Sequence, residues 1–394
     1  MTDGVTEGPE DETTALVVSE PPEQDADDGR PKVLLLGGGE LGRELEFALR
    51  HLGAKVIAVD DGPALADELS ATAQRLTPQF VVTATDALGE KAVTALEALA
   101  TDRTELVPNA RTVRLTTDRE ALRRLAADEL GLPTAPFWFV GSVGELRAVA
   151  AHAGYPLLVK PVSGRGHSVV SSADDIEPAW QRALGASSGR VMAETVVEVD
   201  FDVTLLAVRS EDPEGPVIEF CSPIGHRDAD GAVLESWQPQ QMTPAAVDAA
   251  KSVAARIVKA LGGRGVFAVE LMIKGDEVYF ADVTASPHTS VWVTVRSQRL
   301  SAFELHARTV LGLPVDTMMM SPAAAHAIGP RGDGGSPGAG ALAGALRVPE
   351  SDVRLFGVAS AGVGVALATA PEVATARDRA RQVANTLNVR DSRG

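Results

Sequence analysis

The stretch from Lys32 to Asp60 constrains the fold more than any other part of the sequence. A short apolar run, VLLLG, leads into the turn GGGELG, and a helical segment to about His51 is followed by a second apolar run that ends at Asp60. This order of strand, glycine-rich turn, helix and strand indicates a βαβ unit. Apolar strands continue to alternate with a helix beyond Asp60, which predicts an α/β, Rossmann-like domain over residues 31–114.

The rest of the chain predicts α+β structure in further domains, because 394 residues exceed the roughly 250 to 300 that one core supports. A helix begins near Thr117, which stands three residues before Glu120 in the spacing of a capping box. The expected divisions are residues 115–199, with four strands; residues 200–320, with strands, a loop at HRDADGAVLESWQPQQ and a hairpin at VFAVELMIKGDEVYFADV; and residues 321–394, a small β-rich C-terminal cap that includes a mobile loop at 329–345.

Composition excludes several classes of protein. Residues 1–30 hold ten Asp or Glu and one basic residue, and so predict a disordered acidic tail without a targeting signal. The single cysteine, Cys221, excludes an intramolecular disulfide and is typical of a reducing compartment. The lack of a long apolar run argues against a membrane span, and the net charge of −18 argues against nucleic acid. These features predict a cytoplasmic protein with small-molecule partners.

The glycine-rich turn allows two interpretations. Gly37, Gly39 and Gly42 have the spacing G-x-G-x-x-G, and Asp60 follows about 20 residues later, as in a dinucleotide site that binds NAD. Alternatively, the glycines only make a tight turn, which mononucleotide-like domains use for other ligands. Glu40 lies inside the turn, where a carboxylate would repel a pyrophosphate and attract an amine. This residue favours an amino substrate.

The segment YPLLVKPVSGRGHSVV is a second candidate site. Lys160 ends an apolar strand, and the turn Ser163, Gly164, Arg165 and Gly166 has a composition that can lay backbone N–H groups over phosphates. A strand-edge lysine followed by an ordinary hairpin turn fits the same segment equally well.

The hairpin VFAVELMIKGDEVYFADV is a third candidate site. Its KGDE turn brings Glu270 and Asp282 to facing positions on adjacent strands, where two carboxylates repel each other. A divalent cation relieves that repulsion, and magnesium takes one or two carboxylates together with substrate phosphates. The alternative is a solvated face, but neighbours such as Phe267 and Phe280 indicate a largely buried sheet. The pair predicts a magnesium site.

Two further segments permit functional and structural interpretations alike. In RVMAETVVEVDFDVT, the backbone beside Val196 and Val197 can pair with adenine, and a carboxylate such as Glu194 or Asp202 can accept a ribose hydroxyl, yet an ordinary strand fits the same spacing. The HRDADGAVLESWQPQQ loop combines His226, Arg227, Glu235, Trp237 and Gln240. Because DADG is a good turn sequence, a solvent hairpin is the structural alternative here, and His226 and Arg227 are as easily structural as catalytic.

Together, in this order, the three candidate sites and the hinge strand resemble the ATP-grasp superfamily. Several stretches resemble more specifically the formate-dependent phosphoribosylglycinamide formyltransferases of purine biosynthesis: LLGGGELGRE, LTTDREALRRLAADELGLPT, GYPLLVKPV, GHRDADGAVLESWQPQQM, LGGRGVFAVEL, and RLFG with GVALA. The resemblance implies an ATP-grasp fold, ATP and Mg²⁺ as cofactors, formyl phosphate as an intermediate, and a homodimer.

The resemblance also implies roles for individual residues. Arg119 and Lys160 would contact the ATP phosphates during catalysis. The other implied contacts are a phosphate loop of Ser163, Gly164, Arg165, Gly166 and His167; adenine contacts from Glu194, Val196 and Val197; a ribose contact from Asp202; magnesium ligands Glu270 and Asp282; and glycinamide-substrate contacts from Glu40, Leu41 and Asp86.

The part of the predicted site that receives the acceptor departs from the family pattern. TATDAL leaves Asp86 as the carboxylate nearest the expected position, while Ser286 and Thr289 stand where the family has an arginine and an aspartate. Between RLFG and GVALA the family supplies a lysine and paired arginines for the sugar phosphate, whereas VASAGV is shorter and uncharged. Two alternatives therefore stay open: a paralogue that joins another carboxylate to a non-phosphorylated amine, and a catalytically silent nucleotide-binding protein.

Overall fold

The computed structural model combines one parallel and two largely antiparallel sheets, which confirms the predicted α/β and α+β class. The predicted acidic tail lies outside the described residues, apart from Gly29 and Arg30. No helix in the described part of the chain is long and apolar enough to cross a membrane. The structure describes residues 29–60, 65–85, 88–163, 166–185, 189–229, 232–329, 337–356 and 363–388.

The N-terminal sheet has four parallel strands in the order β2-β1-β3-β4. Its first strand is almost fully buried because helices cover both faces of a parallel sheet. The alternation of strands and helices confirms the βαβ prediction. The elements are β1 (Lys32–Leu36), α1 (Glu40–His51), β2 (Lys55–Val59), α2 (Leu65–Leu76), β3 (Phe80–Thr83), α3 (Glu90–Leu99), β4 (Glu105–Val107) and α4 (Ala110–Thr117).

The turn between β1 and α1 has no room for a side chain at Gly42. A Cβ there would lie 1.7 Å from the carbonyl oxygen of Gly37, which is backbone and cannot move aside, so glycine is required at this position. A Cβ at Gly38 would lie 1.8 Å from Asp60 Oδ1, the end of a side chain that can rotate away. The close turn lets α1 start directly at the sheet edge, with Glu40 as its first residue.

The second sheet has four antiparallel strands in the order β5-β8-β6-β7. The predicted capping box at Thr117 is wrong, because Thr117 is still in α4 and its hydroxyl donates to Val113 O at 2.9 Å. Asp118 caps the next helix instead, and accepts from the N–H groups of Glu120 and Ala121. The elements are α5 (Arg119–Arg124), a π-helical turn (Leu125–Glu129), β5 (Phe137–Val140), α6 (Val143–Ala153), β6 (Leu157–Pro161), β7 (Ser168–Val170), α7 (Ile176–Leu184) and β8 (Val191–Thr195).

In the described residues the third sheet has nine strands, in the order β14-β13-β9-β11-β12-β15-β17-β16 with β10 paired to β9. Its strands are β9 (Phe201–Asp212), β10 (Gly215–Phe220), β11 (Ile224–Ala229), β12 (Ala232–Gln238), β13 (Gly265–Lys274), β14 (Glu277–Thr284), β15 (Ala323–Ile328), β16 (Ser351–Leu355) and β17 (Gly364–Thr369). Its helices are α8 (Pro244–Leu261), a 3₁₀ segment (Thr289–Val293), α9 (Thr294–Ser297), α10 (Ala302–Val310), α11 (Ala339–Ala345) and α12 (Val373–Asn388).

Two local predictions for this region are corrected. The segment HRDADGAVLESWQPQQ, expected as a loop or a solvent hairpin, is mostly the paired strands β11 and β12, and this hairpin lies in the middle of the large sheet because β9 and β15 pair with its two sides. The expected mobile loop at 329–345 contains α11, and residues 330–336 lie outside the described part. The C-terminal strands join the large sheet through the pairing of β12 with β15, so the predicted cap continues that sheet.

Cys221 follows β10 and lies in the core beneath the large sheet. Its thiol donates to Gln298 Oε1 at 3.8 Å. Burial raises the pKa of this thiol to about 12, which keeps the thiol protonated and unreactive at neutral pH.

Candidate active site

Lys160 projects from β6 toward a buried carboxylate on the neighbouring strand. The β6 residues alternate between buried and partly exposed, which turns Leu157 and Val159 into the core and Lys160 to the opposite face. Lys160 Nζ lies 2.7 Å from Glu194 Oε2, and its side chain is 21% exposed. The second candidate site therefore contains a fixed ammonium group with one side open to a ligand.

Glu194 stays ionised although its side chain is only 4% exposed. Burial alone would raise the pKa of this carboxyl group, but the positive charges of Lys160 and Arg123 outweigh burial and hold the pKa below its usual range. The sequence suggested Glu194 as a ligand contact. In the structure Oε2 accepts a hydrogen bond from Lys160, whereas the buried Oε1 accepts none from the described residues.

Arg123 is a site residue that the sequence did not single out. Its guanidinium, 3% exposed, lies 2.9 Å from Glu194 Oε1 and donates to the carbonyl oxygen of Ala281 at 2.7 Å. It also lies over the rings of Phe137 and Phe280. Because Ala281 belongs to β14 and Glu194 to β8, Arg123 links the small sheet to the large one.

Arg119, the first residue of α5, also contacts both sheets. Its side chain donates to the carbonyl oxygen of Pro161, and its backbone N–H donates to Val162 O at 3.0 Å. Its Nε lies 4.0 Å from Asp282 Oδ2. Arg119 and Arg123 are one helical turn apart, so α5 directs two cations toward the space between the sheets.

Glu270 and Asp282 face each other across β13 and β14, as predicted. Both side chains are partly exposed, and His288 Nε2 lies 3.2 Å from Glu270 Oε1. Among the described residues no three His, Cys, Asp or Glu side chains gather as ligands of one metal ion. Two half-exposed carboxylates fit magnesium, because this ion keeps several water or phosphate ligands and needs few from protein.

Asp202 and His226 lie opposite each other on β9 and β11, on the face that carries Glu270. His226 Nδ1 is 3.2 Å from Asp228 Oδ1, and its buried Nε2 has no partner in the described residues. Burial lowers the pKa of His226, but Asp228, Glu270 and Asp202 together raise it above its usual value. Burial, reinforced by Asp228, raises the pKa of Asp202.

The predicted adenine hinge is the chain that leaves β8. The strand ends at Thr195, after which Val196 is exposed and Val197 is half-buried. The N–H of Val196 points to Pro156 O at 3.4 Å. The chain then enters β9, so this segment passes from the small sheet to the large sheet.

The predicted phosphate loop is described only in part. Ser163, Gly166 and His167 border β6 and β7, while Gly164 and Arg165 lie outside the described residues. Asp86, the predicted acceptor contact after β3, also lies outside them.

A threonine-lined crevice connects the N-terminal sheet with the end of β14. It shares Thr116, Thr117 and Thr284 with a second opening beside Arg119 and Asp282. The crevice therefore leads from the predicted metal carboxylates to the carboxyl end of β3, where ligands of parallel sheets usually bind. Its lining is Thr83, Thr85, Leu88, Pro108, Val113, Thr116, Thr117, Thr284, Ala285 and Ser286.

Glu235 and Trp237, which the sequence left open, contact α12 on the other face of the sheet. Arg377 donates to both oxygens of the buried Glu235 carboxylate, at 3.0 and 2.9 Å, and stacks on Trp237 at 3.8 Å. Arg381 and Arg227 also approach Glu235. These contacts hold α12 against the hairpin that carries His226, which makes them structural.

Comparison with known proteins agrees with this arrangement. Residues 125–303 match the model of the ATP-grasp domain. The formate-dependent phosphoribosylglycinamide formyltransferase of Corynebacterium efficiens is 47% identical over 390 residues, which are 91% of this chain and 96% of the relative.

Solved structures give the same result. The structure of glycinamide-RNase-transformylase T from Mycobacterium tuberculosis is 59% identical, with a TM-score of 0.76, and the match covers 91% of this chain and 100% of that one. The carboxyaminoimidazole ribonucleotide synthase of Aspergillus clavatus, complexed with ATP, is 23% identical with a TM-score of 0.77, over 91% of this chain and 98% of that one, and shows the fold alone.

Proposed function

The chain belongs to the family of formate-dependent phosphoribosylglycinamide formyltransferases, and on that premise we propose that it uses ATP and formate to formylate phosphoribosylglycinamide. The observation that carries the proposal is that Arg119 lies beside Asp282, which faces Glu270, in a chain 47% identical to a named relative over nearly its full length. Lys160 is linked to the same strand, β14, through Glu194 and Arg123. This is the arrangement that phosphoryl transfer to a carboxylate requires.

In the first step an oxygen of formate attacks the γ-phosphorus of ATP, and the bond to the β-phosphate oxygen breaks to release ADP. The reaction needs positioning and charge compensation more than covalent help from side chains. Lys160, held by Glu194, and Arg119, held by Pro161, are fixed cations for the phosphate oxygens. Magnesium bound by Glu270 and Asp282 would neutralise further phosphate charge.

In the second step the amine of phosphoribosylglycinamide attacks the carbonyl carbon of formyl phosphate, and inorganic phosphate leaves. Glu40, at the start of α1, is the proposed partner of the amine, with Leu41 and Asp86 as further contacts of the acceptor. The threonine-lined crevice supports this assignment, because it joins the N-terminal sheet to Arg119 and Asp282. Exclusion of water from the crevice would protect the acyl phosphate from hydrolysis.

The decisive measurement is ADP release by the purified protein with Mg-ATP and formate, with and without phosphoribosylglycinamide. We expect turnover that requires both substrates and yields formylated product. ATP binding without this turnover would contradict the proposal, and would favour another acid and amine pair, as the uncharged VASAGV segment suggests. The family relationship also supports a homodimer, which light scattering measures directly.

A further inference from the structure

Two arginines from distant parts of the chain meet at one carboxylate. Arg296, in α9, binds Asp352 Oδ2 through Nη2, and Arg354, in β16, donates to the same oxygen at 2.6 Å. Their side chains are 45% and 34% exposed. Two positive charges are therefore held close together at a surface that solvent and ligands can reach.

The arginine pair keeps hydrogen-bond donors unused. Nε and Nη1 of Arg296, and Nη2 of Arg354, contact no acceptor in the described residues. Arg354 Nε lies 3.5 Å from Glu44 Oε1, an ion pair without a hydrogen bond. A guanidinium has five N–H donors in a planar fork that suits the oxygens of a phosphate. Asp352 orients the two forks and leaves most donors available.

The location of the arginine pair matches the proposed acceptor site. Glu44, the partner of Arg354, is one turn after Glu40 on α1. Leu41 lies in the same core cluster as Trp292, and Phe356, two residues after Arg354, packs on Trp292 with 5.2 Å between ring centroids. The pair therefore borders the start of α1, where the acceptor amine is proposed to bind.

We propose that Arg296 and Arg354 bind the phosphate group of the acceptor. This inference rests on the proposed function for the identity of the acceptor, which by its name carries a phosphate. A dianionic phosphate needs cations, and the segment VASAGV that follows RLFG supplies none. The phosphate would replace the long Glu44 contact of Arg354 and take the unused donors of Arg296, while Asp352 stays in place.

The test compares two acceptors in three variants. Arg296→Met and Arg354→Met remove one guanidinium each. Arg299→Met is the control, because Arg299 is exposed, lies three residues after Arg296 and pairs with Asp316 instead of Asp352. Initial rates are measured with phosphoribosylglycinamide and with its dephosphorylated ribosyl analogue, at saturating Mg-ATP and formate. Thermal unfolding identifies any variant that fails to fold, in which case Arg354→Lys replaces Arg354→Met.

We expect kcat/KM for the phosphorylated acceptor to fall about ten- to a hundred-fold in each Met variant, since one or two charge-assisted bonds are lost. The rate with the dephosphorylated analogue and the KM for ATP should not change, and Arg299→Met should behave as the wild type. An unchanged preference for the phosphorylated acceptor in both Met variants would overturn the inference.

Calorimetric binding of phosphoribosylglycinamide without ATP separates this inference from the proposed function. Weaker binding in the Met variants than in the wild type supports the phosphate site even if the wild-type protein produces no formylated product. Equal binding by wild type and variants overturns the site even if the wild type is an active formyltransferase.

Discussion

At the scale of single residues, the candidate site is organised around one buried charge. Glu194 binds Lys160 with one oxygen and faces Arg123 with the other, so a single carboxylate fixes the position of the proposed phosphate-binding lysine. Removing one partner of a buried ion pair is costly, because the remaining charge keeps its desolvation penalty. Arg123 should therefore influence both stability and catalysis without touching a substrate.

Arg123→Met tests that role. We expect a loss of about 3 kcal/mol of stability and at least a tenfold lower kcat, because Glu194, which orients Lys160, loses the arginine that holds its other oxygen. Arg124→Met, at the exposed neighbouring position, is the matched control and should leave both quantities unchanged. Equal behaviour of the two variants in denaturant unfolding and in ADP release would contradict the assigned role.

The same substitution should change the pH dependence. Because the folded-state pKa of Glu194 is lowered, the ionised carboxylate stabilises the fold above its unfolded-state pKa, and that stability is lost as pH falls through the folded-state pKa. Without Arg123 the effect of burial is less well opposed and the pKa of Glu194 rises. The acid limb of the Arg123→Met rate profile should therefore move to higher pH, as pH–rate measurements can show.

The buried side chain of His306, which lies away from the candidate site, should make the stability of the fold sensitive to acid. It lies fully buried on α10, where its Nδ1 accepts from the N–H of Val266, and burial lowers its pKa to about 4. The unfolded chain binds a proton more readily than the folded chain. The stability that the folded protein has with neutral His306 is therefore fully present above about pH 6.5 and is lost as pH falls toward 4. The loss between pH 7 and 5 amounts to about 2 kcal/mol.

His306→Asn keeps an acceptor for Val266 but cannot be protonated. It should be less stable than the wild type at pH 7, yet its stability should decline less between pH 7 and 5 in urea unfolding. His152→Asn, on the exposed face of α6, serves as the control and should retain the wild-type pH dependence. A wild-type slope in His306→Asn would show that another group causes the sensitivity.

At the scale of elements, α12 is held to the β11–β12 hairpin by one ion-pair cluster. The Glu235 carboxylate is fully buried, and Arg377 binds it with two hydrogen bonds while covering Trp237. Since β11, the other strand of this hairpin, carries His226, the cluster also stabilises a strand of the candidate site from the opposite face of the sheet.

Arg377→Met should lower the free energy of unfolding by about 2 kcal/mol, the cost of losing two bonds to a buried charge, and should shift Trp237 fluorescence. Arg381→Met removes a longer and more exposed contact with Glu235, and should cost less than about 1 kcal/mol. Chemical unfolding of both variants measures the difference. Equal losses of unfolding free energy in the two variants would show that the two hydrogen bonds from Arg377 to Glu235 add no stability beyond that of the Arg381 contact.

The elements also show what sequence can and cannot predict. Lys160 and the facing pair Glu270 and Asp282 were predictable, because strand alternation and a short hairpin turn fix the direction of their side chains. Arg123 was not, since three arginines lie within six residues of α5 and only packing against β8 and β14 decides which one is buried. At HRDADGAVLESWQPQQ the turn sequence DADG indicated a solvent hairpin as one alternative, but its place inside the large sheet was not predictable, because its polar residues do not reveal that β11 and β12 also pair with β9 and β15.

At the scale of the whole molecule, the large sheet extends from the proposed metal carboxylates on β13 and β14 to Arg354 on β16. A group proposed for the acceptor phosphate therefore shares a sheet with the proposed metal ligands, whereas Lys160 lies on the smaller sheet. Bound Mg-ATP would contact both sheets through Lys160, Arg119 and the metal, and would stabilise the molecule as a unit.

Mg-ATP should accordingly raise the thermal unfolding temperature, with a stabilisation of about 2.7 kcal/mol at a hundred times its dissociation constant. Asp282→Asn should lose most of the magnesium-dependent part, because one proposed ligand is gone. Glu277→Gln, on the same strand but bound to Tyr279, is the control and should respond as the wild type. A full magnesium response in Asp282→Asn would locate the metal elsewhere.

The burial of Cys221 makes this chain well suited to site-directed labelling. Its thiol is protonated and enclosed, and it is the one cysteine in the sequence, so maleimide dyes would leave the native protein unmodified. A cysteine pair introduced at exposed positions, such as Arg147 on α6 and Asp248 on α8, would carry both fluorophores. Energy transfer between them would then measure the distance between the two sheets with and without Mg-ATP, without first removing any native thiol.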